Sequence, residues 1–322
     1  MYEIDEPQLT AMKIYFINWK ADYETHMISY LHKHYPVTNI DVPSRYVWWG
    51  KKLTKIGIQP DWLGKKFIHK SIADLKPTDV AVFNDSVINK GLTPYIIKNL
   101  NCRKVLLLRN TVSIPFLKEW SHTFDIIYDF ENRGHFNDKL KYIGQFFPVG
   151  LKEIDKYVLA NKKTKKPVCF FLGRDKKRLP EIIKLADKLA SFNLQLDFNV
   201  VKDYETNDDS GFLIDEPLSY KENLAHALAS DIIVDITQQN QSGWTLRVLE
   251  ALYFNKKIIT NNLSVLDSEV FSRDRFFVPG YHSWGDFEWF LQSSIAPLSP
   301  EVLYSYSPDR MIEKVIEDFQ VL

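Results

Sequence analysis

Residues 238–262, QQNQSGWTLRVLEALYFNKKIITNN, read as the end of one strand, a polar loop, a helix and the next strand. The apolar run Ile232–Ile236 leads into the loop and Lys257–Thr260 follows the helix. Two strands joined by a helix imply a parallel sheet, and ligands of open α/β sheets bind beyond the carboxyl ends of their strands. The helix, Thr245 to Phe254, is apolar nearly all round, which implies burial, yet it carries Arg247 and Glu250. A buried carboxylate is costly unless paired. Two partners suit Glu250: Arg247, three residues earlier on the same helix face, or a ligand with two adjacent hydroxyls. Ser242 and Gly243 also admit two readings. They either present backbone N–H groups to a phosphate at the helix start, or Ser242 is an ordinary N-cap.

Working outward, the second half opens with Val168–Leu172 and an amphipathic helix from Pro180 to Leu189, then strands at Leu196–Val201 and Ile232–Ile236 flanking a helix at Tyr220–Ala229. The first half repeats the alternation. Apolar runs at Met12–Trp19, Val80–Phe83, Val105–Leu108 and Phe124–Tyr128 are separated by helical patterns at Asp22–His34, Leu92–Leu100 and Ile114–Trp120. FFPVG at 146–150 and the polar stretch 161–166 interrupt the pattern. A chain of 322 residues thus divides into domains 1–150 and 151–322. The last helix, Pro308–Phe319, is expected to pack back towards the first domain.

Leu172–Arg178, LGRDKKR, follows the first strand of the second half. It is either a solvated basic turn or a set of cations aimed at phosphate. Lysines and arginines number 41 and so do acids, so no basic excess points to a nucleic-acid partner. The start, MYEIDEPQLT, lacks the features of a secretory leader, and no run approaches the roughly 18 apolar residues that span a bilayer. A cytoplasmic protein is expected, with Cys102 and Cys169 as reduced core residues.

SGWTLRVLEALYFNKKIITNN is similar to the donor-binding signature of GT-B glycosyltransferases, and LGRDKKR resembles the Gly-Arg-x-x-x-Lys element that contacts donor phosphates in the same enzymes. The resemblance spans about 168–262 and implies two Rossmann-like α/β domains facing a central cleft. It implies that Glu250 holds the nucleotide ribose and that Gly173, Arg174 and Lys177 or Arg178 meet the phosphates. The backbone of Ser242, Gly243, Thr245, Leu246 and Arg247 then lies near the diphosphate or sugar. Ser242 stands where retaining members carry the first of two glutamates spaced eight apart. Bacterial envelope enzymes, acting on lipopolysaccharide, O-antigen or capsule, share this character. The partners implied are a nucleotide sugar and a glycan or lipid-linked acceptor, with no cofactor and no metal.

No HExxH, Asp-x-Asp, Gly-x-Gly-x-x-Gly, P-loop or Gly-x-Ser-x-Gly motif occurs, although Asp208 and Asp209 lie in a polar loop. In the resemblance the first domain binds the acceptor and, in inverting members, supplies a base. Asp85, ending the strand Val80–Phe83, is either that base or a helix cap, with Asp22 and His26 as weaker candidates. Residues 46–70 combine three tryptophans with six lysines and show little helical periodicity. The segment is either an interfacial patch on the inner face of the membrane, or a loop whose tryptophans fill the core.

Overall fold

Two parallel six-stranded sheets organise the chain, one in each of the units Met1–Gly144 and Gln145–Leu322. The structure is a computed structural model that describes residues 12–134, 137–158, 166–206, 210–239 and 241–320. Asp208–Asp209 and most of the lysine-rich stretch 161–166 lie outside the described residues.

In the first unit the strands are β1 Ile14–Ile17, β2 Val37–Ile40, β3 Val80–Asn84, β4 Arg103–Leu107, β5 Ile126–Asp129 and β6 Leu140–Tyr142, in the order β2-β1-β3-β4-β5-β6. The central strands are fully buried, as expected where helices cover both faces of a parallel sheet. Helices α1 Asp22–His32, α2 Ser44–Lys55, α3 Asp61–Ser71, α4 Thr93–Asn99 and α5 Ile114–Trp120 complete the unit. Proline in the first turn starts α4 and α5, where a missing N–H costs nothing. Residues 46–70 are thus two helices and not a loop. The break at Gly57–Pro60, with Gly57 at φ +79°, shifts the helical phase, which is why the segment read as one piece shows no period. Its tryptophans lie on the surface and do not fill the core.

The second unit contains α6 Leu151–Val158, β7 Val168–Arg174, α7 Leu179–Ala190, β8 Gln195–Val201, β9 Leu213–Ile214, α8 Tyr220–Ala229, β10 Ile232–Asp235, α9 Leu246–Tyr253, β11 Lys257–Thr260, β12 Phe276–Phe277, α10 Phe287–Gln292, α11 Pro300–Ser305 and α12 Pro308–Gln320. Its strand order, β12-β11-β10-β7-β8-β9, is the doubly wound dinucleotide-fold order. Phe147 of the FFPVG segment belongs here: its ring meets Tyr253 at 4.4 Å and its N–H donates to the Tyr306 carbonyl at 2.7 Å. The C-terminal helix α12 buries Met311, Ile312, Val315 and Phe319, and α11 packs against both α12 and α6. Each unit has its own apolar core, built from the inward residues of its sheet and helices. Cys102 is partly buried and Cys169 fully buried, both as free thiols.

Candidate functional site

In the second unit β7 lies beside β10, so the winding reverses between them and their carboxyl ends frame a crevice. Asp235, the last residue of β10, is fully buried at this point. One of its oxygens accepts from Thr245 Oγ1 at 2.7 Å and Arg247 Nε at 3.0 Å, and the other accepts from Thr260 Oγ1 at 3.1 Å. Arg247 also donates to the carbonyls of Leu172 at 2.8 Å and Ile236 at 3.2 Å, with its guanidinium 5.0 Å from the Phe171 ring centre. A single arginine therefore ties α9 to the ends of β7 and β10. Its carboxylate partner is Asp235 and not Glu250, because its place in the first turn of α9 lets it reach the strand ends.

Arg178 does comparable work from the other side. It donates through Nε to the Asp175 carbonyl at 3.1 Å and through its terminal nitrogens to the carbonyls of Ile236 and Arg174. Burial lowers its pKa to about 10. Gly173 lies between the two guanidiniums: a Cβ there would sit 2.9 Å from Arg247 Nη1 and 3.3 Å from Arg178 Nη2. Arg178 is thus spent on carbonyls, whereas its neighbours Arg174 and Lys177 pair with the carboxylates of Asp203 and Glu205.

Lys176 and Lys177 adopt left-handed φ values of 45° and 64°, a costly conformation for side-chain-bearing residues that persists only when the surroundings impose it. Asp203 imposes it by accepting from the Lys176 N–H at 2.7 Å and from Arg174 Nη1 at 2.9 Å, and Asp175 by accepting from the Leu179 N–H and Thr206 Oγ1. Arg174 is half exposed at the rim, and Lys177 extends into solvent towards Glu205. Lys176 is exposed as a residue, yet its ammonium is held below the usual lysine pKa, by burial first and by Arg178 and Arg247 next.

Thr237 and the stretch 242–245 are pinned in place. Asn261 Oδ1 accepts from the N–H and hydroxyl of Thr237, and Asn262 Nδ2 donates to the carbonyls of Ser242 and Gly243. Ser264 Oγ donates to the Ser242 carbonyl and accepts from the Trp244 indole. The cap of α9 is Thr245, whose hydroxyl accepts from the Arg247 N–H at 3.2 Å, and Leu246 is the first helical residue. Ser242 is therefore not the N-cap, and Ser242–Gly243 lie in the loop ahead of the helix start. Thr245 takes the cap because its hydroxyl can also donate to Asp235.

Glu250 lies in the second turn of α9 and is 1% exposed. Asn223 of α8 donates to its Oε1 at 2.6 Å, while Oε2, equally buried, has no partner among the described residues. Burial raises its pKa to about 7, against the opposing effects of Asn223 and Arg247. On the opposite face of the sheet, a groove of about 740 Å³ runs between α7 and Trp284, with Asn261 and Ile236 at its inner end.

The corresponding reversal in the first unit falls between β1 and β3. Asn18, left-handed at φ 62°, directly follows β1, with its Oδ1 buried and unpartnered among the described residues. Glu24 of α1 accepts from the N–H groups of Ala21 and Lys20 and from Asn84 Nδ2 at 3.2 Å. Asp85 follows, but it caps no helix. Its Oδ1 accepts from the N–H groups of Arg109 and Asn110, and its Oδ2 from Asn110 Nδ2. Asp22 opens α1 and His26 lies one turn further along it. The pairing of Glu24 with Asn84 could not be read from the sequence, because only the placing of β3 beside β1 brings them together. Among the described residues no group of three His, Cys, Asp or Glu side chains is arranged to hold a metal ion.

No family model and no curated protein matches the chain. Solved structures do. A trehalose-6-phosphate protein from E. coli bound with UDP-2-fluoro glucose aligns over 96% of this chain and 99% of its own at 11% identity and TM-score 0.62. A trehalose-6-phosphate synthase studied with bisubstrate glycomimetics aligns over the same shares at 11% and 0.61. The N-terminal domain of a Candida albicans trehalose-6-phosphate phosphatase aligns over 97% of both chains at 12% and 0.57. The two parallel α/β units have the fold of the GT-B class.

Proposed function

We propose that this chain transfers a glycosyl group from a nucleotide-sugar donor to a glycan, with the donor held in the second unit. The observation that carries the reading is the vacant hydrogen-bonding capacity of Glu250: a buried carboxylate oxygen without a donor is costly, and a ribose diol would satisfy it. Arg174 ends β7 and Lys177 lies in the turn after it, beside the reversal between β7 and β10, where a diphosphate would meet them. They would stabilise the charge that builds on the leaving phosphate, a role that preorganised cations fill without a metal ion. The E. coli protein bound with UDP-2-fluoro glucose supports the choice of donor class, since its fold is shared.

In this reading Asp85 keeps the Arg109–Asn110 backbone in place through Oδ1, and its Oδ2, which accepts from Asn110 Nδ2, has a further lone pair with which to take the acceptor proton if the reaction inverts. The acceptor is an envelope glycan of lipopolysaccharide, O-antigen or capsule type, or its lipid-linked precursor, and the tryptophan–lysine segment 46–70 supports this choice.

A melting-temperature titration with UDP, GDP, ADP, CDP and CMP tests the donor site. At least one nucleotide should stabilise the protein, by about 2.7 kcal/mol at a hundred times its dissociation constant. Glu250→Gln should remove the effect. Product analysis with the matching nucleotide sugar then distinguishes transfer from epimerisation. No response to any nucleotide would sink the reading.

A further inference from the structure

Helices α2 and α3 each bury one side and leave the other bare. Gly50 of α2 packs so closely on the Gly91–Leu92 backbone that a Cβ would lie 2.8 Å from Gly91 C, and α3 buries Leu63, Gly64 and Phe67. The outer faces carry Trp48, Trp49 and Trp62, which are 48%, 50% and 57% exposed. The turn between the helices exposes Ile56 and Ile58, at 69% and 46%. Five large apolar side chains thus reach solvent within fifteen residues, whereas soluble surfaces normally scatter theirs singly.

The charge is as uneven as the apolarity. Residues 44–71 hold seven cations, Arg45 and six lysines, against the single carboxylate of Asp61, although the whole chain is neutral. Asp61 is itself engaged by Lys98 at 3.1 Å and Asn99 at 3.3 Å. None of the six lysines forms an ion pair within 4.0 Å among the described residues, Lys65 acting on Asp61 only at longer range, and Lys52 Nζ stands 4.1 Å from the Trp48 ring centre.

We infer that α2, α3 and the turn between them form a docking surface for an anionic lipid bilayer. Indoles settle at headgroup depth, lysines meet anionic lipid, and the isoleucine-bearing turn supplies the apolar tip that enters the acyl boundary. Single-stranded nucleic acid would use stacked aromatics and cations but has no need of Ile56 and Ile58. The surface also adjoins the first unit's carboxyl edge. The backbone against which Gly50 packs belongs to the loop after β3, the same loop that begins with Asp85. Docking would bring that edge close to a lipid-linked substrate. The inference does not depend on the donor site.

Vesicle flotation of the full chain tests it, using phosphatidylcholine alone and phosphatidylcholine with phosphatidylglycerol as about a third of the lipid. The chain should float with the anionic vesicles and be released as salt rises. W48A/W49A/W62A and K51Q/K52Q/K55Q should each lower partitioning at least about tenfold. Nucleotide-dependent melting should be unchanged in both, which separates failure of this surface from failure of the donor site. If the tryptophan variant does not fold, the lysine variant and quenching of wild-type tryptophan fluorescence by brominated lipid decide. Absence of flotation with anionic vesicles, variants that float as well as wild type, or capture by single-stranded nucleic acid without capture by vesicles would overturn the inference.

Discussion

Asn223 Nδ2 lies 2.6 Å from one oxygen of Glu250, and the other oxygen, buried to the same degree, has no donor among the described residues. The pair makes a site that is half satisfied in the protein alone, and its chemistry depends on pH.

The carboxyl pKa of Glu250 is raised from 4.5 to about 7, so between these values the folded chain holds a proton that the unfolded chain has lost. Its contribution to stability is therefore largest below pH 4.5 and declines as pH rises to about 7. Glu250→Gln should remove this decline and raise stability at pH 8 by on the order of 3 kcal/mol, as read by denaturant unfolding across pH. A ligand that donates hydroxyls to the carboxylate should bind more tightly as pH rises through 7, and the variant should lose both the binding and the pH slope.

Asp235 is the buried counter-charge of Arg247 and also receives Thr245 and Thr260. Asp235→Ala leaves Arg247 without its partner and should cost about 3–5 kcal/mol in chemical denaturation. Combining it with Arg247→Met should cost less than the sum of the two single changes. Strict additivity would show that the pair does not act as a unit.

The Arg174 side chain pairs with Asp203 and is half exposed at the end of β7. Arg174→Ala should weaken binding of a nucleoside diphosphate by about 1.5–3 kcal/mol while leaving the nucleoside unaffected, since only the former offers charged acceptors. Calorimetry with the two ligands measures the difference.

Gly173→Ala places a methyl group 2.9 Å from Arg247 Nη1. That guanidinium is anchored to Asp235 and two carbonyls, so it cannot swing aside freely. A loss of about 1–3 kcal/mol in stability is expected, and an unchanged melting temperature would show that the crevice gives way cheaply.

Much of the architecture was legible from local pattern. The strands at 168–174, 232–235 and 257–260 and the helices between them follow from apolar runs and amphipathic periods, which depend on neighbours a few residues away. The parallel α/β class follows from their alternation. The two helices at 44–71 escaped because a Gly-to-Pro break changes the helical phase, and the short edge strands β6, β9 and β12 because two or three residues carry no period.

The residue types of the donor half could likewise be read from the chain: an arginine-rich turn, a Ser-Gly loop and a glutamate on an apolar helix. Their division of labour could not. Arg247, Arg178 and Glu250 are all polar residues in apolar surroundings, and linear spacing does not reveal which of them finds a partner. Strand order decides that. Placing β7 beside β10 brings the Leu172, Arg174 and Ile236 carbonyls and the Asp235 carboxylate within reach of both arginines, and the packing of α8 on α9 gives Glu250 one amide and leaves its second oxygen open. Hydrogen bonds act over about 3 Å in space regardless of separation in sequence, so contacts such as Leu172–Arg247 and Asn223–Glu250 exist only once the chain has folded.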